Sequence, residues 1–444
     1  MRSLLNPKLL KQLRLLLDGN NIFYYTLLVF CAFLPFQFAL NPYSGIDLAV
    51  IRILIPIMFL IWLFITPKNK LLLFKLNWIT YLLGIFLILA SISLFFSPNL
   101  SWSMRKLFFP LSIAPLYFLA ATILNNIHKQ KKAFFFLVSG ATILALVGII
   151  QFISQFIFGV DRVSLFLSTH IAPFFLGKTF ATAVFTYPSW LINSDGTTYM
   201  RAVAIFPDPH MLSYYLGMLI PFSIALWATA NSHKKWLLFS IISLIIADIL
   251  TFTRGGYLAL IAGGLIILPL VSIKTAKKIL AGAVIFVCLF IIAPHNPVTS
   301  RLSSSFDVQE GSNQARLSNW QQAIALIKKH PFGVGIGGYS LAIKPQATYR
   351  EPIYAHNAYL DIAAELGLIA AAVFIGILLF AFKNFWNLSK NEQFFIAGVA
   401  SITIFATHSL VENPLYSLHV LPLFLIILAL STLKHTHEET TNPK

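Results

Sequence analysis

The chain has 444 residues, 58% of them hydrophobic and 11% charged, with a formal net charge of +17 and a mean hydropathy of +0.79. A soluble domain carries about 25% charged residues, so the composition excludes a soluble enzyme and fits a polytopic membrane protein. The basic excess is what the cytoplasmic loops of such proteins carry, and no nucleic-acid partner is expected. Cys31 and Cys288 both sit inside apolar runs, which leaves neither a disulfide framework nor a cysteine metal cluster.

A membrane-spanning helix needs about 20 apolar residues. Twelve segments qualify, at about 22–40, 48–65, 78–96, 107–124, 133–157, 208–230, 236–253, 255–273, 279–294, 359–382, 394–412 and 416–433. The first has no small-residue cleavage site behind it and reads as an uncleaved span. With a cytoplasmic N-terminus, the inside segments hold 19 of the 32 Lys and Arg residues, from Arg2 and Lys8 through Lys68, Lys131, Lys234, Lys277 and Lys390 to Lys444. The short outside loops 41–47 and 413–415 hold none. The expectation is an all-α polytopic protein, one membrane domain over 1–444, with about 12 spans and both termini inside.

Two outside segments are long. The first, 158–207, carries apolar residues from Leu165 to Phe185 and reads as one or two short interfacial or re-entrant pieces. The second, 295–358, lies between spans nine and ten. Ser312 or Asn313 can cap a helix over 315–329 in which Trp320, Ile324 and Ile327 share a face, with Lys328 and Lys329 in the last turn. That pattern predicts an amphipathic helix lying on the membrane surface. His330-Pro331 ends it, and a glycine-rich turn follows from Gly333 to Gly338.

Ionisable groups at membrane depth are rare and usually functional. Arg254 opens Arg-Gly-Gly-Tyr-Leu at the outer end of span seven, where Gly255 would let a bulky ligand approach the backbone. Arg316 sits near a helix N-terminus, against the dipole, so some other interaction should hold it there. His356 stands at the outer surface, close to Tyr354 and followed by Asn357, which can cap the helix that starts there. Arg52 and Asp248 should pair with buried polar groups, and Asp208 should cap span six. His408 and Glu412 are four apart and should share a helix face, but two groups are too few for a metal. Gly333, Gly335 and Gly338 spell the dinucleotide-binding pattern without the strand and βαβ unit it requires. Gly177-Lys178-Thr179 lacks the first glycine of a phosphate-binding loop, position 172 being alanine, so a nucleotide-driven process is not expected.

Two outward arginines and a histidine suit a pyrophosphate and a sugar hydroxyl: the planar guanidinium binds phosphate oxygens bidentately, and an imidazole removes a proton near pH 7. Arg254 to Leu258, an arginine with a leucine four positions on, and His356-Asn357 with Gly367 ten positions after the asparagine, resemble the O-antigen ligases and the wider O-antigen ligase and polymerase superfamily. Ala370 departs from the family's Gly, Thr or Tyr. The resemblance covers 250–370 most closely, including the Arg316 helix and the Pro331-Phe-Gly-Val-Gly run.

The resemblance implies a GT-C-like, metal-independent, inverting glycosyltransferase in the bacterial inner membrane, with a periplasmic active site and no cofactor. The donor would be an undecaprenyl-pyrophosphate-linked glycan, and the acceptor a lipid A-core sugar or a growing glycan. His356 would activate the acceptor, and Arg254 and Arg316 would hold the pyrophosphate. Asn357, Tyr354, Gly255 and Gly335 are the substrate-binding candidates. A polymerase is the close alternative, although none of Arg162, Arg201, Arg301 and Arg316 has the polymerase glycine eleven positions on. A protein O-oligosaccharyltransferase shares the histidine motif. A lipid-linked glycan transporter would need charges at the bilayer midplane and matching halves, and the sequence shows neither.

Overall fold

The computed structural model describes residues 19–43, 46–66, 77–185, 188–194, 196–292, 311–348 and 353–433, without the side chains of 19–20, 183–185, 188, 283–292 and 312. The terminal basic residues, Lys68, Lys70, Lys75, Arg301 and the Cys288 side chain lie outside this set, as does the first part of the second outer segment. The helices run in chain order as α1 (Gly19–Phe33), α2 (Ile51–Ile65), α3 (Trp78–Ile92), α4 (Leu100–Ile113), α5 (Pro115–Ile123) and α6 (Ile127–Phe158). In the first outer segment lie α7 (Val160–Phe166), α8 (Ala172–Leu176) and α9 (Lys178–Phe185). Then come α10 (Pro209–Thr229), α11 (Lys234–Ile249), α12 (Arg254–Ile266), α13 (Ile273–Ile292), α14 (Gly311–Lys329), α15 (Tyr339–Ile343), α16 (Ala358–Leu366), α17 (Leu368–Ser389), α18 (Ile396–His408) and α19 (Val420–Leu430).

Among the described residues, five helical stretches are long and apolar enough to cross a membrane: Trp78–Phe96, Leu100–Ile123, Ile127–Phe158, Pro209–Thr229 and Leu368–Ser389. Five shorter apolar helices accompany them, among them Ile51–Ile65, Arg254–Leu270 and Val420–Leu430. Their outer surface is apolar: Phe64, Ile88, Phe95, Ile150 and Leu379 are exposed, which suits lipid contact and not water. Every residue of α19 is buried, as befits a helix hydrophobic all round at the centre of a bundle. α12 lies along α18, and α10 packs on both α11 and α18. A Cβ on Gly263 would come within 2.6 Å of the Ile404 Cγ1 and one on Gly255 within 2.5 Å of the Val411 Cγ2, so these glycines set the close approach of α12 to the α18 chain.

The all-α expectation describes the bundle, but two small antiparallel hairpins stand at its end: β1 (Ala39–Tyr43) with β2 (Ile46–Ala49), and β3 (Leu191–Ser194) with β4 (Thr197–Met200). The hairpin β1–β2 contacts α8 and α9, and Asp47 accepts from the N–H groups of Thr179 and Phe180 at the start of α9. Val163, Leu167, Ala172, Leu176, Trp190, Met200 and Val203 form a second small core. The short helices are the pieces read from 158–207. Irregular chain here is satisfied from the bundle: Gln151 and Gln155, one turn apart on α6, bond to the backbone of Met200, Arg201, Val203 and Ala204.

One predicted span is divided. The helix expected to begin at 359 and run on as span ten is instead α16 and α17, broken at Gly367, whose φ is +90°. Phe332 packs against that glycine, and the Leu368 N–H donates to Pro331 O at 3.0 Å. α14 spans Gly311–Lys329, four residues longer at its start than predicted, and packs on α16. Ala323 and Ile327 are its buried residues while Ile324 is 43% exposed, so its inward face is turned by about one residue from the predicted stripe.

Candidate active site

The end of the bundle where α10, α12, α16 and α19 begin and α11 and α18 finish carries the polar cluster. α16 organises it. Asn357 caps α16, its Oδ1 accepting from the Tyr359 and Leu360 N–H groups at 3.0 Å, and its Nδ2 donates to Leu410 O at 2.9 Å. The Ala358 N–H donates to Ser409 O at 2.9 Å, and the Tyr359 hydroxyl to Ala406 O at 2.8 Å. Asp361 accepts from the Ala355 N–H at 2.8 Å and from Asn413 Nδ2 at 3.0 Å. The turn after α18 is thereby clasped to the start of α16, and Tyr214 of α10 reaches Ser409 and Glu412 O from the third side.

Between these bonds sits His356, with φ +52°. A non-glycine residue in the left-handed region is uncommon, and such strain persists where the surroundings enforce it. Nδ1 of His356 lies 3.2 Å from both carboxylate oxygens of Glu412. A carboxylate only accepts, so the Nδ1–H donates and Nε2 is left as the basic atom. His356 is 43% exposed and Glu412 12%. The Glu412 charge raises the histidine pKa against burial and the opposing charge of Arg316. Burial pushes Glu412 up, but His356, the neighbouring His210 and the Asn413 N–H outweigh it and hold the carboxyl at about 2. Asp208 caps α10 through the Met211 N–H at 2.9 Å, as predicted; burial and the Glu412 charge push it up to about 6.

Arg316 is half-buried on the face of α14 turned to α16, and its charge acts on His356, His210 and His408. That placement explains an arginine kept near a helix N-terminus. Arg254 is 5% exposed and opens α12. Its helix start lies against the chain that carries Glu412: the position of a Gly255 Cβ is 3.0 Å from His408 Cδ2 and 2.5 Å from Val411 Cγ2. The cluster thus brings together His356, Asn357, Arg316 and the first turn of α12.

Other candidates have different surroundings. Gly255 serves helix packing where a ligand approach was expected. Gly335, at φ +86°, is docked away from the histidine, a Cβ there lying 2.6 Å from Ser97 Cα. The glycine turn is stitched down by Val334 N–H to Ala364 O at 2.9 Å, Ile336 N–H to Ser93 Oγ at 3.1 Å and the Ser103 hydroxyl to Ile336 O. Tyr354 has Lys106 Nζ 5.6 Å from its ring centre, and Lys106 bonds both oxygens of Glu365 at 2.7 and 2.8 Å. His408 and Glu412 do not share a helix face: α18 ends at His408, which stacks on Tyr214 at 3.7 Å, and Glu412 lies in the turn beyond. Arg52 donates to Ser112 Oγ at 3.2 Å, a polar pairing as expected but with a half-buried partner where a buried one was expected. Asp248 has only the Ser213 hydroxyl alongside, and neither carboxylate oxygen reaches hydrogen-bond geometry. Glu412 was the residue sequence reasoning missed; its one signal was a carboxylate in an apolar stretch.

Fold and site together define a polytopic membrane protein with a histidine–carboxylate pair and arginines gathered at one end of its bundle. Residues 238–375, from α11 into α17, match the sequence model of the O-antigen ligase family. This is a family of glycosyltransferase-like ligases and polymerases. The match holds Arg254, Arg316 and His356 and leaves Glu412 outside it. Comparison with curated proteins gives no match.

Proposed function

We propose that the protein is an O-antigen ligase of the bacterial inner membrane. It transfers glycan from undecaprenyl pyrophosphate to a lipid A-core sugar at the periplasmic face, within a GT-C-like bundle of about 12 spans whose termini are cytoplasmic. The observation that carries this reading is the His356–Glu412 pair on left-handed backbone, with the Arg316 charge acting on the same imidazole. His356 Nε2 takes the proton of the acceptor hydroxyl while Glu412 steadies the imidazolium that forms. The hydroxyl oxygen attacks the anomeric carbon from the face opposite the pyrophosphate. The bond from that carbon to the pyrophosphate oxygen breaks, and its electron pair leaves with the lipid pyrophosphate. Arg254 and Arg316 take up the developing charge, so the mechanism calls on no metal. Configuration at the anomeric carbon inverts.

The test is transfer by the reconstituted protein from purified lipid-linked glycan, with a lipid A-core glycolipid and a second lipid-linked glycan offered as competing acceptors. The glycolipid product, with inverted linkage, is expected. Chain growth on the lipid-linked acceptor would make the protein a polymerase, and absence of transfer to either, with a pilin-type protein acceptor also refused, would sink the reading.

A further inference from the structure

The turn that precedes Arg254 is held by a residue from the other outer segment. Arg201, 3% exposed, donates from Nε to Thr251 O at 2.7 Å, from Nη2 to Phe252 O at 3.4 Å and Thr253 Oγ1 at 3.0 Å, and from Nη1 to Ser189 O at 3.0 Å. The adjacent Ala202 N–H donates to Leu250 O at 2.9 Å. Residues 201–202 thus take up the carbonyls of Leu250, Thr251 and Phe252 in the turn just past α11, where the chain has left the helix and has no intrahelical donors. A cation there also suits the helix dipole.

Two consequences bear on Arg254. Phe252 has φ +49° and is buried, a conformation a bulky residue adopts only when held. Thr253, the residue before α12, makes no side-chain capping bond; its hydroxyl is engaged by Arg201 instead. We propose that Arg201 is a positioning residue: it fixes the turn 250–253 so that α12 begins at Arg254 and presents that arginine to the site. Gln151 and Gln155 fix the 200–204 segment from α6 in turn. The long span α6 therefore sets Arg254 through two layers of hydrogen bonds. The proposal rests on reading Arg254 as a donor-binding group.

The experiment uses the full-length protein in proteoliposomes, with Arg201→Lys, Arg201→Met, Thr253→Val and the Arg201→Met/Thr253→Val pair. Donor KM and kcat are measured, and in parallel a cysteine at 254 (Arg254→Cys, with Cys31→Ala and Cys288→Ala) is alkylated by a membrane-impermeant maleimide. Arg201→Met is expected to raise donor KM about 10-fold with a smaller change in kcat, and Arg201→Lys to fall between it and wild type. Thr253→Val should add less to Arg201→Met than it costs alone, since the Arg201 bond is already gone and only the hydroxyl's bonds to Pro209 O and Thr251 O remain to be lost. Alkylation at 254 should rise several-fold when Arg201 is Met. A wild-type KM with unchanged alkylation overturns the proposal, and so do losses that add in full in the double variant. If the wild type transfers no glycan, the functional reading fails alone, and the alkylation rate still decides whether Arg201 places residue 254. Should Arg201→Met fail to insert, Arg201→Lys supplies the same comparison at smaller amplitude.

Discussion

The glycine turn Gly333–Gly338 and the His356 turn both leave the ordinary backbone regions, and they do so for opposite reasons. Gly333, Gly335 and Gly337 have φ between +77° and +87°, which costs a glycine little. The turn uses that freedom to press its backbone onto Ser93, Ser97 and Ser103 on one side and Glu365 and Gly367 on the other. His356 adopts φ +52° with a side chain that resists it, and the imidazole stays 43% exposed beside a carboxylate. Left-handed glycine serves packing here, whereas left-handed His356 is held by polar contacts and suits the proton-abstracting role proposed for it.

The strongest way to break this contrast is His356→Asn. Asparagine accepts the left-handed backbone but leaves Glu412 without its cationic partner, so thermal stability should hold or fall slightly while glycan transfer falls by at least about 100-fold. Retained transfer would remove His356 from the site. Next, Lys106→Met leaves Glu365 buried without its partner and should cost about 3 kcal/mol of stability, read by the shift in thermal unfolding; Lys106→Met/Glu365→Gln should recover part of it. Gly335→Ala should cost about 1–3 kcal/mol through strain and overlap with Ser97, yet transfer per folded molecule should stay within about twofold of wild type. A large loss per folded molecule would move the glycine turn into the site.

The smallest expected effect is that of Glu412→Gln, on the order of 10-fold in kcat, less than for a buried base and carboxylate because His356 is exposed. Its pH profile is the sharper readout. A general base works deprotonated, and Glu412 raises the His356 pKa, so wild-type activity should rise with pH at a higher midpoint than the variant's. The groups facing His356 in this balance are Glu412, Arg316 and Asp361. Stability follows the same pair. Glu412 is lowered from 4.5 to about 2, so its share is present above about 4.5 and lost as pH falls through about 2. The share of His356, raised from 6.5, is full below 6.5 and lost as pH rises through its folded value. The stability gap between wild type and Glu412→Gln should therefore be widest between about 4.5 and 6.5.

The bundle was legible because apolar runs report their length directly, and the Arg254 and His356 patterns could be read because each is compact in sequence. Gly367 was read as part of a motif spacing; that it breaks a helix depends on Phe332 packing against it from 35 residues away. Glu412 was assigned to a helix face with His408, because nothing local shows that α18 stops between them. Arg201 looked like one more loop cation, since carbonyl acceptors 50 residues ahead leave no trace in side-chain identity. The space that Gly255 would open is already filled by Val411, and Gly335, a substrate-binding candidate by resemblance, lies against Ser97.

The bonds that orient the His356–Asn357 step come from residues that follow it: Asp361, Leu410, Glu412 and Asn413. The reacting end is registered from downstream. Upstream sequence bears on this register at fewer points: Tyr214 to Ser409 and Glu412 O, Ser340 to Ile353, and the Arg316 charge. With His356 as the base proposed above, chimeras joined just before Ile353 that keep Tyr214, Arg316 and Ser340 should leave the imidazole in place while the rest of the upstream chain changes.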